Sequence, residues 1–187
     1  MAKANSDASR NPPRSSRRPR SRRVPGHNRI AEVAGVSIRS VYQYFPDKRA
    51  IFVALHDRHV EQVGQLVERT LVEHAAASLR DLLRALVEAM IEAHAADPGL
   101  HELLFLDVPQ RAHGTRDFES RLRGALRLAV TSRADELPRR DLERTLFVIT
   151  NLVESLSHAA VLRRPPKLSL AAAKEEAVRA VLAYLLS

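Results

Sequence analysis

The amino-acid sequence predicts an all-α fold, made of a small N-terminal helical module and a larger helical core. From residue 30 onward, apolar residues recur at the three- and four-residue spacing that places them on one face of a helix. Residues that cap helices, such as Ser78 and Ser169, precede two of these stretches, and Pro or Gly residues follow several. The predicted parts are residues 1–25, 26–72 and 73–187.

Residues 1–25 form an Arg-, Ser- and Pro-rich tail with hardly an apolar residue, so we expect this tail to be disordered. The chain has a net charge of +8, and residues 1–29 hold nine Lys or Arg and one acidic residue. The remainder carries 21 basic and 21 acidic residues, so charge-driven, non-specific attraction to nucleic acid belongs to the tail. A basic arm that follows phosphates and a solvated tail without a role both remain open.

Residues 30–44 predict two short helices joined by a tight turn. The first helix has apolar residues at positions 30, 31, 33 and 34, and Gly35 can take the left-handed conformation that ends it. Val36 can fill the gap between the helices, and Ser37 can cap the second helix. In that helix Ile38 and Val41 are expected to point to the core, which leaves a polar face. This pattern is a helix-turn-helix, whose second helix enters the DNA major groove.

Residues 30–51 resemble the DNA-binding signature of the TetR family of transcriptional regulators, approximately IA-x-x-AGVS-x-x-x-[LV]Y-x-[HY]F-x-x-K-x-x-[LI]. The matching residues are Ile30, Ala31, Ala34, Gly35, Val36, Ser37, Val41, Tyr42, Tyr44, Phe45, Lys48 and Ile51. The resemblance implies that Tyr42 and Lys48 contact phosphate and that the other polar residues of the second helix face bases. The predicted DNA-binding set is Asn28, Ser37, Arg39, Ser40, Tyr42, Gln43, Tyr44 and Lys48.

The resemblance implies a ligand-responsive repressor that binds a palindromic, double-stranded DNA operator as a homodimer, without enzymatic activity or a cofactor. Two alternatives stay open. Members of the family carry an apolar first helix before residue 30 and tend to have Thr where this chain has Gly26 and His27. A divergent, mispredicted or frame-shifted start would leave a helical ligand-binding or dimerising protein with impaired DNA binding. The other alternative is a non-specific nucleic-acid binder that uses the basic tail.

A long third helix is predicted from Pro46 to about Thr70, because Pro46 cannot continue the second helix and Asp47 can cap the next. Lys48 lies in its first turn, where a cation opposes the helix dipole unless an anion such as phosphate is nearby. The family resemblance implies that this helix links the module to the core. Its tilt would then change the spacing of two DNA-reading modules when ligand binds.

Helical spacing predicts further helices over residues 78–95, 100–106, 117–133 and 139–162, and from 170 to the end. In proteins similar to this one, the middle helices form an effector pocket. The predicted pocket residues, each also acceptable as an ordinary core residue, are Leu86, Met90, Leu103, Leu104, Phe105, Phe118 and Leu122. Three polar residues, His101, Glu102 and His158, are candidates for hydrogen bonds to an effector inside the core.

The last two helices carry small and apolar residues at close-packing positions, which suits a four-helix dimer interface, and the resemblance implies that arrangement. The predicted interface residues are Leu146, Ile149, Val153, Leu156, Ala160, Ala177, Val181 and Leu185. The alternative is that these residues close the core of a single chain.

Composition excludes several other classes of site. The chain has no Cys, which excludes disulfides, thiolate metal sites and cysteine catalysis. Its six Gly form no phosphate-binding loop. Among eight His, His56 and His59 are three residues apart but lack an evident third ligand, so no metal site is predicted. No unbroken apolar run reaches the roughly 18 residues that span a bilayer, so we expect a cytoplasmic protein with no membrane partner.

Overall fold

A computed structural model describes residues 26–107, 115–137 and 141–186, and within these ranges the chain forms helices and no strand. The all-α prediction is therefore confirmed. The chain divides into two compact units between Tyr44 and Phe45, whereas the predicted N-terminal module extends to residue 72. The difference arises because the whole third helix packs against helices of the second unit. The predicted tail at residues 1–25 and most of the predicted 109–115 connection lie outside the described residues.

The first unit contains helix α1 (His27–Ala34) and helix α2 (Ile38–Tyr44), which pack against each other. Gly35 has φ 67° and ψ 26°, the left-handed conformation predicted for it. The N–H groups of Gly35 and Val36 donate to the carbonyls of Glu32 and Ala31, the Schellman pattern that satisfies the end of a helix. Gly26 caps the start of α1 without a side chain.

Few apolar residues of the first unit are buried. Ala31 and Val41 are buried, as predicted for Val41, but Val36 is 48% exposed and Ile38 is 38% exposed. The predictions that Val36 fills the gap between the helices and that Ile38 points to the core are therefore wrong. Helices of eight and seven residues present too little surface to each other to bury more than one apolar side chain each.

The second unit contains the remaining helices. They are α3 (Lys48–Glu73), α4 (Leu79–Ala96), α5 (Pro98–Asp107), α6 (Thr115–Thr131), α7 (Leu142–Leu162) and α8 (Leu170–Leu186), with a 3₁₀ turn at Ala134–Glu136. Helix α4 is central, since it packs against α3, α7 and α8. Its Leu79, Leu82, Leu83, Val87 and Ile91 are at most 2% exposed, and they form the middle of the core.

Side chains at the predicted positions cap these helices. The Asp47 carboxylate accepts from the Ala50 N–H at 2.8 Å, and Ser78 accepts from the Asp81 N–H at 3.1 Å. Ser169 likewise accepts from the Ala172 N–H at 3.1 Å. Helix α5 begins two residues before the predicted start, because Pro98 suits the first position of a helix and Asp97 caps it.

Arg133 and Glu136, at the 3₁₀ turn, bind the ends of two helices. The buried Arg133 guanidinium donates to the carbonyls of His74, Ala75 and Ala77 at 2.7–2.9 Å, just beyond the C-terminus of α3. The Glu136 carboxylate accepts from the Leu79 N–H at 2.7 Å, in the first turn of α4. Each charge complements the helix dipole that it meets, and we call this arrangement the Arg133–Glu136 clasp.

Candidate DNA-binding surface and core ligand site

Helix α2 presents an exposed polar surface. Arg39, Tyr42, Gln43 and Tyr44 are all exposed, and α2 contains no acidic residue that would repel a phosphate. Exposed donors on a short helix held by a tight turn are the groups that read base edges and backbone in the major groove. These four predicted residues therefore lie where DNA can reach them.

Two of the predicted DNA-binding residues, Ser37 and Ser40, bind each other. The Ser37 hydroxyl accepts from the Ser40 N–H at 3.0 Å, so Ser37 is the N-cap that the sequence predicts. The two hydroxyls also lie 2.8 Å apart in a hydrogen bond, and Ser40 is half-buried. These serines fix the start of α2, while Arg39, Gln43 and Tyr44 remain exposed.

The ring of Tyr42 is positioned by a residue outside the predicted DNA-binding set. His27 stacks on Tyr42 with ring centroids 4.6 Å apart and an interplanar angle of 18°. Tyr42 is still 52% exposed, so one face of the ring is covered while part of the side chain meets solvent. A stacked aromatic ring loses less rotamer freedom when its hydroxyl binds a phosphate, because part of that freedom is already lost. An aromatic residue at position 27 was the only signal of this contact in the sequence.

The remaining predicted DNA-binding residues flank α2 in the chain. Asn28 is exposed on α1, where the neighbouring Arg29 is paired with Glu32 at 2.7 Å. Lys48 is exposed in the first turn of α3. Its position opposes the helix dipole, as predicted, and a phosphate would relieve that opposition.

The predicted effector-pocket residues lie mostly in the packed core. Leu86 and Leu104 are 4% exposed, while Met90 and Leu103 are half-buried. The side chains of Phe105, Phe118 and Leu122 lie outside the described residues. Leu86 packs in the central cluster together with residues of α7 and α8.

A groove on the surface of the second unit does not coincide with this predicted pocket. It lies between α4 and α8 and has a volume of about 440 Å³. Its lining combines three arginines, one glutamate and three apolar residues, and none of these belongs to the predicted pocket: Arg80, Arg84, Arg179, Glu175, Val178, Leu182 and Ala183.

Most of the predicted dimer-interface residues are buried within one chain. Val153 and Leu156 are half-buried. The other six, each at most 6% exposed, are Leu146, Ile149, Ala160, Ala177, Val181 and Leu185. Their burial requires no second copy, which corresponds to the alternative that they close the core of a single chain. The reason is that α7 and α8 pack on each other and both pack on α4.

Helix α7 nevertheless carries an exposed aromatic side chain, whereas the other exposed positions of this helix are polar or charged. Among the described helices, α7 is long and apolar enough by length and composition alone to cross a membrane, a test that core helices of soluble proteins also pass. The search of the sequence for unbroken apolar runs did not find this helix, because polar residues interrupt α7. Only 28% of its most apolar window is buried, and Phe147 is 69% exposed.

Four histidines from four helices meet inside the second unit. His59 lies on α3, His94 on α4, His101 on α5 and His158 on α7. The rings of His94 and His101 stack 4.0 Å apart, and those of His101 and His158 stack 4.7 Å apart. The sequence offered His56 as the partner of His59, but the actual neighbours are 35 and 42 residues away along the chain. Only the packing of α3, α4 and α5 brings these residues together.

Comparison with known proteins places both parts of the chain in one family. Residues 27–55 match the family model described as "Bacterial regulatory proteins, tetR family", and residues 78–185 match "Tetracyclin repressor-like, C-terminal domain". No curated protein sequence matches the chain. Among solved structures, the chain resembles one described as a protein with unknown function from Rhodococcus sp. RHA1. The TM-score is 0.67 at 19% identity, over 87% of this chain and 86% of that one, which supports the fold alone.

Proposed function

We propose that this chain, which belongs to the TetR family, is a cytoplasmic repressor. It binds a palindromic DNA operator as a homodimer and releases the operator when an effector binds the core. The family assignment makes the chain a DNA-binding transcription regulator, and regulators of this family are typically not enzymes. Repression, dimerisation and ligand response go beyond that assignment and constitute the proposal.

The observation that carries the DNA-binding proposal is the exposed polar face of α2, held by the left-handed Gly35 turn and the Ser37 cap. We assign Arg39, Gln43 and Tyr44 to base edges, and Tyr42 and Lys48 to phosphates. Operator binding by two copies places two such helices in successive major grooves, which is why a palindromic site is expected.

Selection of binding sites from random DNA by the full chain, followed by footprinting, tests this proposal directly. A palindromic footprint is the expected result, and a chain that selects no sequence contradicts the proposal.

Gln43→Ala should weaken binding by about 1–3 kcal/mol at the base pairs it reads, and so relax the sequence preference there. Lys48→Ala should weaken binding to all sequences. It should also reduce the slope of log affinity against log salt concentration by about one, the change expected for one lost phosphate contact. Arg69→Ala, an exposed cation near the other end of α3, is the matched control and should change neither.

Deletion of residues 1–25 separates this proposal from binding through the basic tail. Sequence-specific binding should survive the deletion, with a smaller dependence on salt because the tail holds most of the excess charge. Affinity that disappears with the tail and shows no sequence preference supports the non-specific alternative instead.

For the dimer, the support comes from the exposed Phe147 of α7 rather than from the residues predicted first. A second copy packed on Phe147 would cover an aromatic side chain that is 69% exposed in the single chain. Ala180 on α8 is also exposed and small enough to allow close approach of another helix.

Sedimentation of the full chain should therefore give twice the mass of one chain. Phe147→Glu should shift the mass to that of one chain without loss of helix content, and Leu128→Glu, at an exposed leucine of α6, should not.

A further inference from the structure

The histidine cluster holds a set of nitrogen atoms close enough to share one metal ion. One ring nitrogen from each of His59, His94 and His101 lies within 4.8 Å of the other two. In a tetrahedral site with metal–nitrogen bonds of about 2.1 Å, ligand nitrogens are about 3.4 Å apart. The three rings therefore need to approach by little more than an ångström, which side-chain torsions can supply.

The rings are neutral at physiological pH, which is the form that binds metal. Burial, with the neighbouring His101, His158 and His59, lowers the pKa of His94 to about 3. Burial, with His158 and His59, lowers the pKa of His101 to about 4, and burial with His56 lowers the pKa of His59. A neutral imidazole keeps a nitrogen lone pair for coordination, so no proton has to be displaced from a cationic ring when metal binds.

His94 has an unused coordinating atom. Its Nδ1 is buried and has no hydrogen-bond partner among the described residues, and the whole residue is 3% exposed. Buried polar atoms in native proteins are nearly always satisfied, so an atom like this one calls for an explanation such as an ion. A metal ion at the cluster provides that explanation.

His158 supports His101 from the other side. The His158 Nδ1 lies 2.7 Å from the His101 Nε2, so one ring donates a hydrogen bond to the other. The His158 Nε2 in turn lies 4.0 Å from a carboxylate oxygen of Glu154. Histidine ligands are commonly oriented by such an outer partner, which fixes the ring and its tautomer. We therefore regard His158 as a positioning residue.

From this geometry we propose that His59, His94 and His101 bind one divalent first-row transition-metal ion of the imidazole-preferring kind, such as Zn²⁺, with His158 orienting His101. The donor set decides the class of metal. All three ligands are nitrogen atoms, whereas Mg²⁺ and Ca²⁺ require oxygen ligands. Three protein ligands leave a fourth position open to water or a small ligand, an arrangement different from the closed sites that serve structure alone.

The site joins three helices, and one of them, α3, directly follows the helix-turn-helix in the chain. Metal that draws His59 toward His94 and His101 would favour one packing of α3 on α4 and α5 over another. The metal is then the effector of the core, and this second part of the inference rests on the function proposed above. Its reciprocal consequence is that operator DNA changes the affinity for metal by the same factor.

Titration of the untagged, chelator-treated full chain with Co²⁺ tests the site without reference to DNA. We expect one Co²⁺ per chain, the intense visible absorption of a tetrahedral Co²⁺ ion, and displacement of Co²⁺ by Zn²⁺. His59→Ala, His94→Gln and His101→Gln should each abolish the band, and His74→Ala, at a half-buried histidine outside the cluster, should retain it. A wild-type chain that shows no band and binds no Zn²⁺ overturns the proposal, as do ligand variants that bind like the wild type.

Variants with a disturbed core are controlled in two ways. Helix content by circular dichroism identifies any variant that does not fold, and imidazole nitrogen NMR of the wild-type chain should show Zn²⁺-induced shifts confined to the cluster. For the positioning residue, His158→Ala should weaken Co²⁺ binding about 10- to 100-fold, while His158→Gln, which can still hydrogen-bond, should restore part of it. Equal binding by both variants and wild type removes His158 from the proposal.

Operator binding with and without Zn²⁺ tests the effector role separately. Zn²⁺ should change the affinity of the wild type for its selected DNA by at least about 5-fold and that of His94→Gln not at all. If Co²⁺ binds but operator affinity does not respond, the site stands and the effector role is overturned. If the chain selects no DNA sequence, the proposed function fails while the Co²⁺ titration still decides the site.

Discussion

The two units of this protein keep their shape by different means. In the first unit, Ala31 and Val41 are the buried apolar residues, and the fold depends on a left-handed glycine and a serine cap. In the second unit, a single helix, α4, already buries a continuous row of apolar residues. The charged side chains of Arg133 and Glu136 also bind main-chain groups at helix ends. Substitutions should therefore separate: those at buried residues of the second unit change the free energy of unfolding, and those in the helix-turn-helix or at Lys48 change DNA affinity.

The largest loss of stability is expected from a substitution at the centre of the core. Leu83→Ala, at a position 2% exposed, should lower the free energy of unfolding by about 3 kcal/mol, because it removes buried contacts and leaves a cavity. The matched control is Leu128→Ala, at a leucine 74% exposed on α6, which should stay within about 0.5 kcal/mol of wild type. Urea unfolding of the full chain measures both, and similar losses at the two positions contradict the division between core and surface.

The next largest effect concerns the Arg133–Glu136 clasp. Arg133→Met should cost about 2 kcal/mol, since it removes the guanidinium that donates to three partly buried carbonyls of the α3–α4 connection. Arg84→Met removes an exposed guanidinium whose nearest carboxylate, on Glu88, is 3.8 Å away, and should cost almost nothing. Denaturant midpoints compare the two, and amide exchange should show early opening at residues 74–79 in the first variant only.

Acid should weaken the second unit through its histidines. In the folded chain the pKa of His94 is about 3 and that of His101 about 4, both below the ordinary value of 6.5. Between pH 6.5 and about 4 the unfolded chain therefore binds protons that the folded chain does not, so stability falls as pH falls, by up to about 1.4 kcal/mol per pH unit for each histidine. Above pH 6.5 these residues contribute no slope. Unfolding from pH 7.5 to 4.5 measures the effect, and His94→Gln should reduce the slope.

The smallest effect is expected at the turn of the first unit. Gly35→Ala forces an L side chain into φ 67° at a cost of about 1 kcal/mol, although nothing lies within 4 Å of the added Cβ. Operator affinity should fall about 5-fold, while the urea midpoint of the core stays unchanged. Gly124→Ala adds the same atom in equally open space within helix α6, where φ is not positive, and should bind nearly as wild type. Equal losses at the two glycines would show that conformation is not the cause.

Local chemistry made much of the fold predictable. Gly35, Asp47, Ser78 and Ser169 act at the helix ends where their residue types predict caps, because capping depends on atoms within a few residues in the chain. Within the described residues, the observed helices agree with the predicted ones to within a few positions. The family signature also located the exposed residues of α2, since it fixes their order along one short helix.

Long-range packing was not predictable in the same way. Ile38 and Val36 have the composition of core residues, but among the described residues 26–44 they stay 38% and 48% exposed. Leu146 and Val181 fit a dimer interface equally well, and only the packing of α7 and α8 on α4 shows that one chain already buries them. The histidine cluster also depends on contacts between distant residues, His59 with His94, 35 positions apart, and His101 with His158, 57 positions apart, for which spacing in a sequence gives no signal.

The Arg133–Glu136 clasp has a consequence for how this protein can vary. Arg133 binds main-chain carbonyls of residues 74, 75 and 77, and Glu136 binds a main-chain N–H, so none of these bonds depends on the side chain at the accepting or donating position. The side chains of Ala75 and Ala76 in the α3–α4 connection can therefore change without loss of these bonds. Variation at these two exposed positions should be silent for the clasp, whereas Arg133 and Glu136, some 60 positions later, supply its hydrogen bonds.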